Sequence, residues 1–74
     1  MPKMPLLSAK EVVKFLALHG FELKGQVGSH MKLKDGKGHV VTVPAYNEIP
    51  QGVMHSILKQ AGLARKDLEK YLGR

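Results

Sequence analysis

Apolar positions along the chain change period twice, and the changes mark out its elements. Val12, Val13, Phe15 and Leu16 recur at helical spacing. Just upstream, Ser8 and Glu11 stand three apart, the spacing of a capping box, so a helix is expected to begin near Ala9. Gly20 supplies the left-handed residue that ends such a helix, and Phe21 can fold back onto Leu16. From Phe21 the period becomes two: Phe21, Leu23, Gly25 and Val27 fall on one side of a first strand, and Glu22, Lys24 and Gln26 on the other. Gly28 and Ser29 turn the chain into "HMKLK", where Met31 and Leu33 alternate with His30, Lys32 and Lys34. A glycine-rich break then leads into "HVVTVP".

The register of this second hairpin follows from its pattern. Burying Met31 and Leu33 beside Val43 and Val41 requires residue 34 to face residue 40, across an odd-numbered loop. "GKG" at 36–38 suits a type I turn with Gly38 in the left-handed bulge position, which leaves His30, Lys32, Lys34, Val40 and Thr42 on the opposite, open face. Pro44 cannot donate to a ladder and ends the strand. "AYNEIP" reads as a loop into a second helix from about Pro50, burying Val53, Met54, Ile57, Leu58 and Ala61. Gly62 ends that helix with Leu63 folding back on Leu58, and Arg65 to Leu72 forms a short terminal helix using Leu68 and Leu72, poorly capped by Ala64. The expected fold is α+β, in the order α-β-β-β-α with a short C-terminal helix. Both main helices cover one face of a three-stranded antiparallel sheet, and residues 1–74 form a single domain.

Composition narrows the partners. Twelve Lys and Arg against six Asp and Glu give a net charge of +6 over 74 residues, enough to attract a polyanion such as nucleic acid or an acidic protein. Two Tyr, two Phe and no Trp mean an aliphatic core and few aromatic platforms for bases. The absence of cysteine excludes disulfides and thiolate metal sites and fits a reducing, cytoplasmic setting. "MPKMPLLSAKE" lacks the continuous apolar stretch of a signal peptide, and no later segment could span a bilayer, so no membrane partner is expected.

Four histidines are the candidate chemistry. No pair has the helical i, i+4 spacing and carboxylates are few, so no metal site and no cofactor is expected. His19 falls in the last turn of the first helix, where a cation complements the exposed carbonyls. His55 lies on the solvent face of the second helix. His39, at the loop end of the third strand, reads as a surface residue or a contact to a partner. His30 alone heads a basic strip. A neutral imidazole there can take a proton from an RNA 2′-hydroxyl, so that the oxygen attacks the adjacent phosphorus, and the lysines of the same face stabilise a phosphorane-like transition state. From composition and spacing alone the bland reading, a solvated histidine on a basic strand, is preferred, because exposed histidines are ordinary.

Longer stretches weigh more. "KEVVKFLALHGFELKGQVGSHMKLK", "VVTVP" and "SILKQAGL" together closely resemble the HicA family of toxin mRNA interferases, from about Leu7 to Leu72. The resemblance implies a fold like the double-stranded RNA-binding domain, ribosome-independent endonucleolytic cleavage of messenger RNA, and neutralisation by a HicB-like antitoxin. It places the catalytic histidine at His30, with RNA contacts expected from Lys24, Ser29, Lys32, Lys34 and Lys37. Family members often carry an arginine just before the Gln of the first strand, where this chain has Gly25 before Gln26. The usual capping threonine after "KQAGL" is Ala64 here. The leaving 5′ oxygen needs a proton donor, for which Tyr46 or a lysine are candidates.

Two other classes fit the same layout. A non-catalytic double-stranded RNA-binding module would read shape and phosphates, but such modules resemble one another in a lysine cluster at the start of helix two, where this chain has "EIPQGVMHS". A pure protein-interaction module would meet its charge with an acidic partner.

Overall fold

A computed structural model describes residues 6–73; the first five residues, on which part of the signal-peptide reading falls, and Arg74 lie outside the described residues. The order is α1 (Ala9–Leu18), β1 (Glu22–Val27), β2 (His30–Lys34), β3 (Val40–Pro44), α2 (Gln51–Ala61) and α3 (Arg65–Tyr71). The strands form one antiparallel sheet, β1-β2-β3, as the alternation requires.

The ends of α1 follow their local chemistry. Ser8 Oγ accepts from the Glu11 amide at 3.2 Å while the Glu11 carboxylate accepts from the Ser8 amide at 3.3 Å, so two of the amides left unpaired at a helix start are satisfied. At the other end Gly20 takes φ +87°, and the Phe21 amide donates to the Leu16 carbonyl at 3.1 Å. Phe21 is thereby delivered into the core. α2 ends in the same way, with Gly62 at φ +71° and the Leu63 amide donating to Leu58 O at 2.9 Å. Ala64 offers α3 no side-chain acceptor; the Asp67 carboxylate supplies half a capping box by accepting from the Ala64 amide at 2.8 Å.

The second hairpin takes the expected register. Lys34 faces Val40, Leu33 faces Val41 and Met31 faces Val43, with Gly38 at φ +96°. Leu33, Val41 and Val43 are fully buried against Val12, Phe15 and Leu16 of α1 and Ile57 and Leu58 of α2, so both main helices lie on one face of the sheet. α3 adds Leu68, and its Tyr71 ring packs on Phe15 with centroids 5.3 Å apart.

The first strand departs from simple alternation. Leu23 faces Leu33, but the next pair is Gly25 with Lys32, so Lys24 is the extra residue of a bulge. Beyond it the parity is reversed. Gln26 pairs with Met31 toward the helices, while Gly25 and Val27 join Lys32 and His30 on the open face. The expectation that Gly25 and Val27 share a side with Leu23 is therefore corrected. The loop after β3 also does more than connect: Ile49 is buried and forms an isolated antiparallel bridge with Leu7, its amide donating to Leu7 O at 2.7 Å. Neither residue belongs to a periodic run.

Gly62 is the most constrained glycine. Its φ is positive, and a Cβ built there would lie 2.9 Å from His39 Nε2, whereas a Cβ at Gly20 meets nothing within 4 Å. Gly62→Ala is expected to cost more stability than Gly20→Ala and to exceed about 1 kcal/mol, a ranking that urea denaturation of the two variants checks.

Candidate active site

His30 is the first residue of the central strand, and its position is fixed from both sides. It pairs with Val27 of β1 across the two-residue Gly28-Ser29 turn and with Pro44 of β3. Gly28 takes φ +58°, the Gln26 side-chain amide donates to Gly28 O at 3.0 Å, and the Ala45 amide donates to Ser29 O at 2.6 Å. The turn is thus tied to both neighbouring strands one residue before the imidazole. The side chain is exposed, on the face the helices leave uncovered.

Lys32 and Lys34 follow at every second position and project to the same side. Among the described residues no ion pair engages either of them. Lys24, at the bulge, also reaches this face, with its ammonium 3.8 Å from the Glu22 carboxylate. His30, Lys24, Lys32 and Lys34 line one groove of ≈ 660 Å³, together with Thr42 and the Gly25–Val27 segment. Four of the six anticipated site residues are therefore brought together. Ser29 sits at the groove's end, engaged through its carbonyl. Lys37 does not join them; it lies in the β2–β3 turn, beside a separate hollow bordered by His19 and His39. Tyr46 borders a third hollow with Ser8, Asn47, Gln26 and Met31, whose lining does not include His30.

The β2–β3 turn is built around a pair that the sequence pattern did not disclose. Asp35 Oδ1 accepts from the amides of Lys37 at 3.0 Å and His39 at 2.7 Å, and Oδ2 lies 2.7 Å from His39 Nδ1. His39 is thus a structural residue, half-buried against Gly62 and tilted toward Phe21. The signal available was Asx chemistry: an aspartate opening a glycine-rich loop bonds amides two to four residues on. His19 packs edge-on against Phe15, with ring centroids 4.9 Å apart, and His55 is exposed on α2. Among the described residues no group of three or more His, Asp or Glu is placed to hold a metal ion, and no helix is long and apolar enough to cross a membrane.

Comparison with known proteins identifies the family. The family model described as HicA toxin of bacterial toxin-antitoxin matches residues 9–63. The chain belongs to the HicA toxin family. A solved structure, a toxin-antitoxin complex from Streptococcus pneumoniae, contains a chain 34% identical to this one. The match has a TM-score of 0.69 and covers 77% of this chain and 98% of the other. No curated protein matches. The HicA match spans α1, the whole sheet and α2, and ends at Leu63, so α3 lies beyond the matched segment.

The Asp35 carboxyl has a measurable signature. Desolvation raises its pKa, but hydrogen bonds from the His39 ring and from the His39 and Lys37 amides, with the nearby imidazole charge, together hold it below the ordinary value of 3.8. Its contribution to stability is therefore present above pH of about 4 and lost as pH falls through the lower folded value. Thermal melts should show the parent losing more stability than Asp35→Asn between about pH 5 and pH 2.5, because the variant no longer carries the titrating group.

Proposed function

We propose that this HicA-family toxin is an endoribonuclease that cleaves messenger RNA through His30. The observation that carries the reading is the placement of one exposed imidazole at the head of a lysine row, Lys32 and Lys34, that no carboxylate engages among the described residues. RNA brings its own nucleophile, so the protein needs only a base and cations held in register. Backbone phosphates lie along Lys32 and Lys34, which sets a ribose against the His30 ring. An imidazole nitrogen accepts the 2′-hydroxyl proton, the O2′–P bond forms, and Lys32 meets the charge that develops on the non-bridging oxygens. The P–O5′ bond then breaks, leaving a 2′,3′-cyclic phosphate on one fragment and a 5′-hydroxyl on the other. Water, an ammonium of the lysine row or the Tyr46 hydroxyl protonates the departing oxygen.

The same open face is the surface an antitoxin would need to cover. A HicB-like partner that supplied carboxylates to Lys32 and Lys34 would compete directly with RNA phosphate and would mask His30. The toxin-antitoxin complex among the solved structures supports an antitoxin partner.

His30→Ala is expected to retain the parental circular dichroism spectrum, since the side chain is exposed, and to slow cleavage of RNA by about 10²- to 10⁴-fold. A folded variant cutting at the parental rate would remove His30 from the mechanism. For binding, the Lys32→Ala, Lys34→Ala double variant should flatten the dependence of log affinity on log salt. On single-stranded RNA the slope should fall by roughly 0.7 for each phosphate that no longer meets an ammonium. Affinity measured across a salt series reads this directly.

A further inference from the structure

The bulge at Lys24 does something to the open face that neither the lysine row nor His30 requires. By reversing the parity of β1 it brings Gly25 opposite Lys32 and Val27 opposite His30. Facing residues on one side of an antiparallel pair lie close enough for side chains to touch. Here the row opposite the cations has a gap at Gly25, where a built Cβ meets nothing within 4 Å, and an aliphatic side chain at Val27 that is 83% exposed. The groove that His30 and Lys32 border therefore has a bare backbone floor at Gly25 and an apolar wall at Val27.

Gly25 does not need to be glycine for its own conformation. Its φ is not positive and no neighbour crowds it; glycine in a strand interior weakens the strand and accompanies either a bulge, which here falls at the preceding Lys24, or a close approach of a ligand to the backbone, for which this position leaves room. Nor is Val27 held in the core, since no helix covers it. A flat, uncharged, polarisable group is what fits a peptide-plane floor between an aliphatic wall and an imidazole, with ammonium groups alongside for the charge it is attached to.

The geometry points to a nucleobase seat: one base of a bound single strand lies over Gly25 against Val27, while its flanking phosphates meet Lys32 and Lys34. This rests on the nucleic-acid reading above and extends it from phosphate contact to base contact. In a groove lined by no aromatic side chain other than the His30 ring, the seat supplies the stacking surface that aromatic residues supply elsewhere. A base seated there also fixes the rotation of its ribose about the strand, so that the 2′-hydroxyl presented to His30 is one of few instead of any along the chain.

The test uses a fluorescein-labelled 2′-deoxy heptanucleotide, which carries no 2′-nucleophile, and the same backbone with every base removed, both titrated into the full chain by anisotropy. The parent should bind the base-bearing strand about tenfold more tightly than the abasic one. Gly25→Ile, which fills the gap with a strand-favouring side chain, should bring that ratio to about two or below. Should Gly25→Ile alter the circular dichroism spectrum, Val27→Ser, at an exposed position, takes its place with the same expectation. A parental ratio near one, or a folded variant that keeps the parental ratio, overturns the seat. RNA cleavage is assayed separately. A parent that discriminates bases but cuts no RNA would sink the nuclease reading and leave the seat standing, and an active parent without discrimination would do the reverse.

Discussion

One pairing decides which side chains of the central strand reach water: Lys34 opposite Val40, held by the turn between them. Side chains alternate along a strand, so a slip of one residue would turn Leu33 outward and drive His30, Lys32 and Lys34 into the aliphatic interior. Burying three such polar groups without partners would cost far more than a small domain's whole margin of stability. The basic face is thus a consequence of core packing: Leu33, Val41 and Val43 are sealed by α1 and α2, and the alternate residues are left with nowhere else to go.

The turn that sets this register is stiffened by charge and by shape together. Asp35 gathers two amides and the His39 ring, and His39 in turn lies against Gly62 at the end of α2. Because Gly62 lacks a Cβ, the ring can approach the helix terminus, so the hairpin tip and α2 are positioned relative to each other by one imidazole. At the opposite end of β2 the Gly28-Ser29 turn is tied by Gln26 and Ala45. The central strand is therefore clamped at both ends, which is what a side chain needs if it is to be held at a fixed distance from a reacting phosphate.

Much of this was legible in the sequence because it depended on local rules. Ser8 with Glu11, Gly20 with Phe21 and Gly62 with Leu63 each state a helix boundary within a few residues, and two alternating strands with an odd loop admit one register. What escaped were features set by contacts distant in sequence or by a break in periodicity. Leu7 and Ile49 are isolated apolar residues whose burial depends on each other across more than forty positions. His39 read as a surface histidine, and its side chain is still partly exposed; its approach to Gly62 was hidden because that glycine is far along the chain. The bulge at Lys24 leaves a run, "ELKGQV", that alternates acceptably without it, so nothing local marks the reversal that puts Gly25 and Val27 outside. The role proposed for His30 came from its basic setting together with the family resemblance, and the structure added its exposure and its neighbours.

The division of labour on the open face follows from strand order. The central strand carries the cations and the imidazole; β1 carries, beside them, a gap and an aliphatic side chain; β3 carries Thr42 and Pro44. β3's outer edge is partly closed, since the Thr42 amide donates to the Gln60 side chain of α2 at 3.2 Å and Pro44 has no amide to offer. β1 has no such cover, and every one of its residues is exposed. Whatever binds this face approaches over β1, where Glu22 and Lys24 lie 3.8 Å apart at the end that faces Lys34, so the cations of this face without an ion pair among the described residues are Lys32 and Lys34 of the central strand. A polyanion is drawn toward those two ammonium groups by electrostatics alone, along the strand that His30 heads.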